Sequence, residues 1–418
     1  MSYRCAPSTQ RINDERRAAK RAPLLTVTFL LVASAAATAP AQLPNASFFP
    51  IGVHSQPIDS FDKWKSRGIN SLFQYERSWA GHTMDQWDAA AEARGLYYAR
   101  WPSANPANDL QKKNLMAWTQ LDEPDLPNHN PNPAANIDIY NNLKAISPTK
   151  PVWVNFAGPL VTPANSKYTE WVKAGDWIAA DWYPVNWARP NDLGFVGLAT
   201  DRLRASANGV PKKFFSYIET SYQWINTTGG RAPTPGEFRA MVWNSINHGS
   251  SGIVYFSQVV GRAFQYDGTQ PDIIAEMTTQ NDKITRLGKI LNNAWNPSTR
   301  GATASHNKLE TSWRSTVDGD YFFVLNMSNA AVTNATISLA GLPPGVTLLD
   351  VFDEGRTEAL TGNQLVDSFA PYELHVYRTS TAGALSLNPV TGTPIPEPGT
   401  IGLLAAAAAA GLLRRSRR

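Results

Sequence analysis

Cysteine is almost absent from this sequence, with only Cys5 among 418 residues. It lies in an N-terminal segment that we expect to be removed on export, so the mature chain would carry no thiol. Disulfides, thiolate metal sites and cysteine nucleophiles are then excluded. Charged residues are also scarce, at 17%, whereas hydrophobic residues make up 43% of the chain. This composition is typical of a globular, core-forming protein and not of a disordered one.

The N-terminal segment has the order of a secretory signal. Basic residues precede the apolar run LLTVTFLLV at 24–32, and small residues follow as far as Ala41. This order predicts a signal peptide over residues 1–41. The alternative is a membrane anchor, but the apolar run is shorter than the ~20 residues that a spanning helix needs.

The C-terminal segment combines a short motif, an apolar stretch and a basic end. Pro396, Glu397 and Pro398 precede an apolar stretch at 401–413, and four arginines lie within 414–418. Residues 396–418 resemble the PEP-CTERM sorting signal. The resemblance implies processing by an exosortase in a Gram-negative bacterium that makes exopolysaccharide, and a place in the cell envelope, on the cell surface or in the extracellular matrix. The arginines would hold the apolar helix transiently in the inner membrane.

Removing both ends changes the charge balance of the protein. The full chain has a formal net charge of +4. The signal segment contains six basic and two acidic residues, and the tail contains four basic and one acidic, so the remainder carries −3. A mildly acidic domain makes nucleic acid an improbable partner, and we expect none.

The middle of the chain alternates short runs of β-forming residues with helical patterns. The eight candidate strands lie at 48–55, 69–76, 96–101, 115–123, 150–158, 176–185, 212–221 and 251–258. Eight strands alternating with helices predict a (β/α)8 TIM barrel, an α/β fold, over residues 46–297. The link between the third and fourth strands is too short for a full helix.

Two helical segments have clear local signals. Ile139, Leu143 and Ile146 are spaced by four and three residues, which places them on one helix face. Thr234 and Glu237 can form a capping box at the start of a later helix.

The pattern changes after residue 298. Stretches of alternating hydrophobicity, separated by Gly, Asn and Pro turns, predict a small antiparallel β-sandwich at 299–378. Residues 379–395 are rich in Thr, Gly, Pro and Ser and are expected to form a linker to the tail.

Acids at predicted strand ends suggest chemistry. Glu123 ends the fourth strand in the stretch LDEP, and Glu219 ends the seventh in YIET. In such barrels the loops after the strands form the active site. Hydrolysis of a glycosidic bond needs one carboxyl as proton donor and a second as nucleophile or base. The alternative is that both glutamates are solvated loop acids.

These two stretches resemble the clan A glycoside hydrolases. In that family the acid/base glutamate follows the fourth strand, usually as Asn-Glu-Pro, and the nucleophile ends the seventh. The resemblance implies Glu123 as acid/base, Glu219 as nucleophile and a retaining mechanism with the carboxyls about 5 to 5.5 Å apart. Asp122 replaces the usual asparagine, and an aspartate can accept a hydrogen bond from the sugar but cannot donate one. Its charge would raise the pKa of Glu123.

Other side chains near strand ends are candidates for support or for sugar binding. Arg100 could keep Glu219 ionised, and Tyr183 could donate a hydrogen bond to it. Indole faces stack on sugar rings but also fill cores; Trp101 and Trp182 are the first candidates, ahead of Trp79, Trp187 and Trp224. His54 is a structural or substrate-contacting residue. A metal-dependent hydrolase would need a cluster of His and Asp ligands, so neither a metal nor another cofactor is expected.

The sequence therefore predicts an exported glycoside hydrolase that acts on a polysaccharide or oligosaccharide. One alternative is a catalytically inactive carbohydrate-binding or matrix-associated surface protein on a barrel scaffold. Another is an adhesive sandwich domain for which the barrel is a support.

Overall fold

The computed structural model describes residues 43–75, 81–223, 229–260 and 264–379. The expected signal peptide, the linker beyond Thr379 and the sorting tail with its membrane helix lie outside these ranges. Within them, no helix combines the length and the apolar character needed to cross a membrane.

Eight parallel strands in the described chain close into a barrel. They pair in sequence order, and β8 closes the ring by pairing with β1, where Ile253 lies opposite Ile51. The strands are β1 Ile51–His54, β2 Ser71–Phe73, β3 Tyr97–Arg100, β4 Leu115–Thr119, β5 Val152–Ala157, β6 Trp177–Asp181, β7 Lys213–Glu219 and β8 Ile253–Phe256. The predicted TIM barrel is confirmed.

Helices surround the barrel in the described residues. They are α1 Phe61–Ser66, α2 Met84–Ala93, α3 Pro133–Ile146, α4 Gly158–Val161, α5 Phe195–Ala207, α6 Pro235–Asn247 and α7 Pro271–Leu291. Between β3 and β4 the chain forms only a 3-10 turn, Asn108–Gln111, as the short link predicts.

The two helix predictions have different outcomes. The Thr234 side chain accepts a hydrogen bond from the Glu237 backbone N–H, and Glu237 returns one, so the capping box of α6 is confirmed. Ile139, Leu143 and Ile146 all lie in α3, as predicted, but they are not equally buried. Leu143 is buried, whereas Ile139 and Ile146 are exposed. The spacing places the three on one stripe, but only its middle packs on the barrel.

Aromatic side chains fill the barrel interior. Trp153 of β5 contacts Phe73 and Phe215, each at a ring-centroid distance of 4.7 Å, and Trp177 of β6 lies 5.2 Å from Phe215. All four rings are buried. Since large rings pack the lower layers, the space for a ligand is left at the mouth of the barrel.

Eight further strands form two antiparallel sheets. The strands are β9 Gly301–Ala304, β10 Leu309–Thr316, β11 Gly319–Asn326, β12 Val332–Ala340, β13 Leu348–Val351, β14 Arg356–Ala359, β15 Gln364–Phe369 and β16 Leu374–Arg378. One sheet has the order β10-β11-β16-β13-β14 and the other β15-β12-β9. The antiparallel sheets predicted for this region are confirmed.

The five-stranded sheet packs against helix α6 of the barrel. Trp243 stacks on Phe323 of β11 at a centroid distance of 6.1 Å. The Ser312 hydroxyl of β10 donates to Oδ1 of Asn247 at 2.9 Å. The sandwich is therefore fixed against the barrel by both apolar and polar contacts.

Candidate active site

A cavity of ≈500 Å³ lies where the C-terminal ends of the barrel strands meet, and it is called the mouth cavity. Its lining residues belong to strand ends or to the loops after them: His54, Asp122, Glu123, Leu126, Asn155, Ala157, Pro159, Leu160, Asp181, Tyr183, Trp187, Tyr217, Phe256 and Gln258. Because this end of a TIM barrel carries the active site, the mouth cavity is the candidate.

Glu123 reaches the mouth cavity from a left-handed backbone conformation. Its φ is 44°, a region that non-glycine residues seldom adopt. The backbone holds it there: the Glu123 N–H donates to the Asn155 carbonyl at 3.1 Å, and Nδ1 of His129 lies 2.8 Å from the Glu123 carbonyl oxygen. Such strain costs on the order of 1–3 kcal/mol and is concentrated at functional sites.

Asp181, the last residue of β6, forms a carboxyl pair with Glu123. Burial raises the pKa of Asp181 well above its usual value, and repulsion from Glu123 and Asp122 raises it further. Burial, followed by repulsion from Asp122, raises the pKa of Glu123 to about 7, and its hydrogen bond with Asp181 opposes that rise. The two carboxyls therefore titrate as a pair, with the loss of a proton from the pair displaced toward neutral pH.

The close packing of β5 on β6 fixes this pair. Oδ1 of Asp181 accepts a hydrogen bond from the Gly158 N–H at 3.2 Å. A Cβ atom on Gly158 would lie only 2.0 Å from the Asp181 carbonyl oxygen. Glycine is therefore required there for the two backbones to approach.

Asp122 adds a third carboxyl to the mouth cavity. Its Oδ1 accepts a hydrogen bond from Nδ2 of Asn155 at 3.1 Å. Oδ1 of Asn155 is buried and has no hydrogen-bond partner in the described part of the chain. A ligand hydroxyl could satisfy this acceptor, because Asn155 itself lines the cavity.

The structure does not bring Glu219 into the mouth cavity. This residue is completely buried, and its carboxylate accepts the backbone N–H groups of Val185 and Asn186 at 2.7 and 2.9 Å and the Asn186 side chain at 2.6 Å. Burial raises its pKa to about 7, while these hydrogen bonds oppose the rise. The predicted nucleophile has no oxygen open to a substrate; it anchors the loop after β6 instead.

Arg100 also lies elsewhere than predicted. Its guanidinium is buried and forms salt bridges with Asp88 and Asp109 at 2.8 and 2.9 Å. Ala99 faces the barrel interior, and alternate residues of a strand point to opposite faces. Arg100 thus points outward to the surrounding layer and cannot support Glu219.

Two predicted residues do lie in the mouth cavity. Tyr183 packs its ring against Trp187 and Phe256 at 5.4 and 5.3 Å. Nδ1 of His54 lies 3.2 Å from the Tyr217 hydroxyl, and its ring stacks on Phe256. Both residues therefore shape the cavity wall.

The tryptophan predictions need correction. Trp182 is 3% exposed and packs outside the mouth cavity, because it alternates with Asp181 and Tyr183. Trp101 packs against the core and does not line the cavity either. Among the described tryptophans, the half-buried Trp187 lines it. Trp79 and Trp224 lie outside the described residues.

Sequence reasoning missed Asp181 and Asn155. Asp181 lies in the stretch DWYP, of which only Trp182 and Tyr183 are among the predicted site residues. It carries the same signal that pointed to Glu123, an acid at a strand end. In the described ranges, no group of three or more His, Cys, Asp or Glu side chains is arranged to hold a metal ion.

Two family models match parts of the chain. One, described as glycoside hydrolase 42, beta-galactosidase, matches residues 134–286, from α3 into α7. The other, the PEP-CTERM protein-sorting motif, matches residues 394–418. No curated protein matches the chain in sequence. The chain therefore carries a glycoside hydrolase domain on a TIM barrel and a C-terminal sorting motif.

Solved structures share this fold at low sequence identity. A family 5 glycoside hydrolase from Bacteroides vulgatus is 13% identical, with a TM-score of 0.52 over 81% of this chain and 90% of its own. An α-amylase from Geobacillus thermoleovorans, solved with acarbose, is 9% identical, with a TM-score of 0.51 over 77% of this chain and 90% of its own. At such identity the likeness concerns the fold alone.

Proposed function

We propose that the protein hydrolyses glycosidic bonds of a polysaccharide or oligosaccharide in the mouth cavity, with Asp181 and Glu123 as the reacting carboxyls. The observation that carries this proposal is that the carboxyls of Asp181 and Glu123 line the same cavity and interact through a hydrogen bond. One protonated carboxyl and one carboxylate are the two groups that glycoside hydrolysis needs.

Burial suggests the two roles, because Asp181 is buried and favours the neutral acid, whereas Glu123 is half-buried. Asp181 gives its proton to the leaving oxygen while the Glu123 carboxylate attacks the anomeric carbon, and the glycosidic C–O bond breaks. The Asp181 carboxylate then removes a proton from water, which hydrolyses the glycosyl ester on Glu123. This reverses the acid/base role that the family resemblance gives to Glu123.

The proximity of the carboxyls argues against an inverting outcome. An inverting enzyme needs about 6.5–9.5 Å between them to admit a water molecule. Groups that share a hydrogen bond are closer than that. Nearby, Asn155 offers its unpaired Oδ1, and Trp187 offers an indole surface for the sugar.

Leaving-group chemistry tests the two roles. An aryl glycoside with a strongly acidic phenol needs no proton donor, so Asp181→Asn should retain much of its activity on it and lose activity on a natural glycan. Glu123→Gln should lose both activities. The exposed Glu170→Gln serves as the matched control. Equal losses on both substrates for Asp181→Asn would contradict the assignment of the proton donor.

A sugar-binding barrel without catalysis is the second candidate. This candidate is favoured because Glu219, the expected nucleophile, is buried and accepts hydrogen bonds from within the protein. A wild-type protein that binds glycans in the mouth cavity but cleaves none of a broad panel would support this candidate.

The sorting motif extends the proposal to location. The PEP-CTERM match over residues 394–418 indicates export and surface sorting in a Gram-negative bacterium. We infer an exosortase-type partner, transient anchoring of the tail in the inner membrane, and a substrate in the surrounding exopolysaccharide matrix. Replacing Glu397 with Ala and fractionating the cells tests this: retention in the inner membrane is expected, and unchanged surface location would contradict it.

A further inference from the structure

A second cavity of ≈310 Å³ lies at the opposite end of the barrel, where β7 begins and the sandwich docks. It is called the basal cavity. Part of its wall is formed by residues 209–212 before β7, by Lys213 at the start of β7 and by residues 249–251 before β8. The rest includes residues 291–293 at the end of α7, Trp295 and Arg314 of β10. Barrel and sandwich therefore build this cavity jointly, away from the carboxyl pair.

The basal cavity is basic. Four cationic side chains and no acidic one stand among the described residues that line it: Arg204, Lys212, Lys213 and Arg314. The mature chain as a whole has a net charge of −3 by the count above. The basal cavity therefore concentrates positive charge in a protein whose net charge is negative.

Two of the four cations are engaged within the protein. Arg204 forms a salt bridge with Asp201 at 2.7 Å and also donates to the His248 carbonyl. Nζ of Lys212 donates to the Gly175 carbonyl at 2.5 Å. These two shape the wall and add positive potential.

Arg314 is buried without a counter-charge. It is 1% exposed, and its terminal nitrogens donate only to the carbonyls of Trp313 and Ile246, at 3.1 and 3.2 Å. Its Nε has no partner in the described part of the chain. The charged neighbour that acts on it is Arg204, of the same sign, and burial lowers its pKa. A buried, unpaired guanidinium is costly, and a bound anion would relieve that cost.

Lys213 provides a second uncommitted cation. It is the first residue of β7 and half-buried, and its ammonium group forms no hydrogen bond or salt bridge with another described residue. Burial lowers its pKa, with no opposing charge. Trp295, whose ring stacks on the Arg204 guanidinium at 4.2 Å, gives the cavity an aromatic wall.

We propose that the basal cavity binds a small oxyanion through Lys213 and Arg314. The oxyanion is either inorganic phosphate or sulfate, or the carboxylate of an acidic sugar residue. The volume suits a group of monosaccharide size, and the lysine and guanidinium provide charge-assisted hydrogen bonds. The proposal concerns a site separate from the mouth cavity and does not depend on hydrolysis.

Isothermal titration calorimetry of the purified full chain tests this site with three probes: sodium phosphate, sodium sulfate and sodium glucuronate. Glucose is the neutral control. Saturable one-site binding of at least one anion is expected, with no heat from glucose. Binding of glucuronate alone identifies an acidic sugar as the source, whereas binding of phosphate or sulfate identifies the inorganic ion.

Substitutions locate the binding. Lys213→Gln should raise the Kd of the anion about tenfold, and Arg314→Gln should raise it further. Lys173→Gln, at an exposed lysine paired with Glu170, should leave it unchanged. Because Lys213 is half-buried at a strand end, its variant should fold. No saturable binding by any anion, or equal affinity in wild type and a folded Lys213→Gln variant, would overturn the proposal.

Discussion

The two ends of the barrel carry cavities of opposite charge. The mouth cavity gathers Asp122, Glu123 and Asp181 from two strands, whereas the basal cavity gathers arginines and lysines, one of them from the sandwich. Parallel strands bring their last residues and the loops after them to one end, so an acid in the loop after β4 and another at the end of β6 suffice for a carboxyl pair. The opposite end needs a second domain to complete its wall. One barrel can therefore hold two sites whose chemistries do not interfere.

A finer comparison separates two glutamates. Burial raises the pKa of both Glu123 and Glu219 to about 7. Glu123 faces a cavity and other carboxyls, whereas Glu219 faces only N–H donors. A raised pKa alone thus does not identify a catalytic acid; what surrounds the oxygen atoms decides its role.

The largest effect is expected at the mouth cavity. Glu123→Gln removes the attacking carboxylate, so kcat should fall by at least about 10³-fold on every substrate. Anion binding at the basal cavity should remain unchanged, which calorimetry checks on the same preparation. Hydrolysis at more than a tenth of the wild-type rate would remove Glu123 from the mechanism.

Glu219→Gln should act on the loop rather than on the chemistry. The amide group would point N–H atoms at the N–H donors of Val185 and Asn186, which costs about 2–3 kcal/mol of stability. The expected result is a lower Tm and a raised KM, with a smaller loss of kcat than in Glu123→Gln. A native Tm with abolished turnover would instead restore Glu219 as the nucleophile.

The pH dependence of the free energy of unfolding tests the protonation of Glu123. The pKa of Glu123 is about 7 in the fold against 4.5 for the free side chain, so its protonated form stabilises the fold at low pH. That stability is lost as pH rises from about 4.5 through 7. Relative to Glu123→Gln, wild type should lose on the order of 2 kcal/mol between pH 5 and pH 8 in urea unfolding. A flat difference would mean that Glu123 is ionised throughout.

Two tryptophans separate sugar contact from packing. Trp187→Ala should raise KM about tenfold and lower Tm less than Trp182→Ala does, because this half-buried indole lines the mouth cavity. Trp182→Ala should lower Tm by removing buried contacts with Trp187 and Phe195, each at 5.2 Å. The opposite pattern would return Trp182 to the role of sugar platform.

The smallest effect should come from the basal cavity. Lys213→Gln should leave kcat/KM for a neutral oligosaccharide within about twofold of wild type, because the residue lies at the opposite end of β7 from Glu219. Steady-state kinetics with and without phosphate check this. A larger change would show that the two ends are coupled.

The sequence predicted the barrel well and the site only in part. All eight barrel strands fall within the predicted runs, because buried parallel strands are continuous apolar segments. Glu123 was found from its place after β4. The contacts of Glu219 depend on how the loop after β6 folds back onto β7. The contacts of Arg100 depend on which face of β3 it occupies, and a shift of one residue along the strand moves a side chain to the opposite face. Neither can be predicted from residue spacing alone.

The most direct measurement of the central claim is covalent trapping of the nucleophile. A panel of 2-deoxy-2-fluoro glycosides with activated leaving groups should inactivate the enzyme slowly, and mass spectrometry of the digested protein should find the sugar on Glu123. A label on Glu219, or turnover with inversion and no trapped ester, would contradict the account.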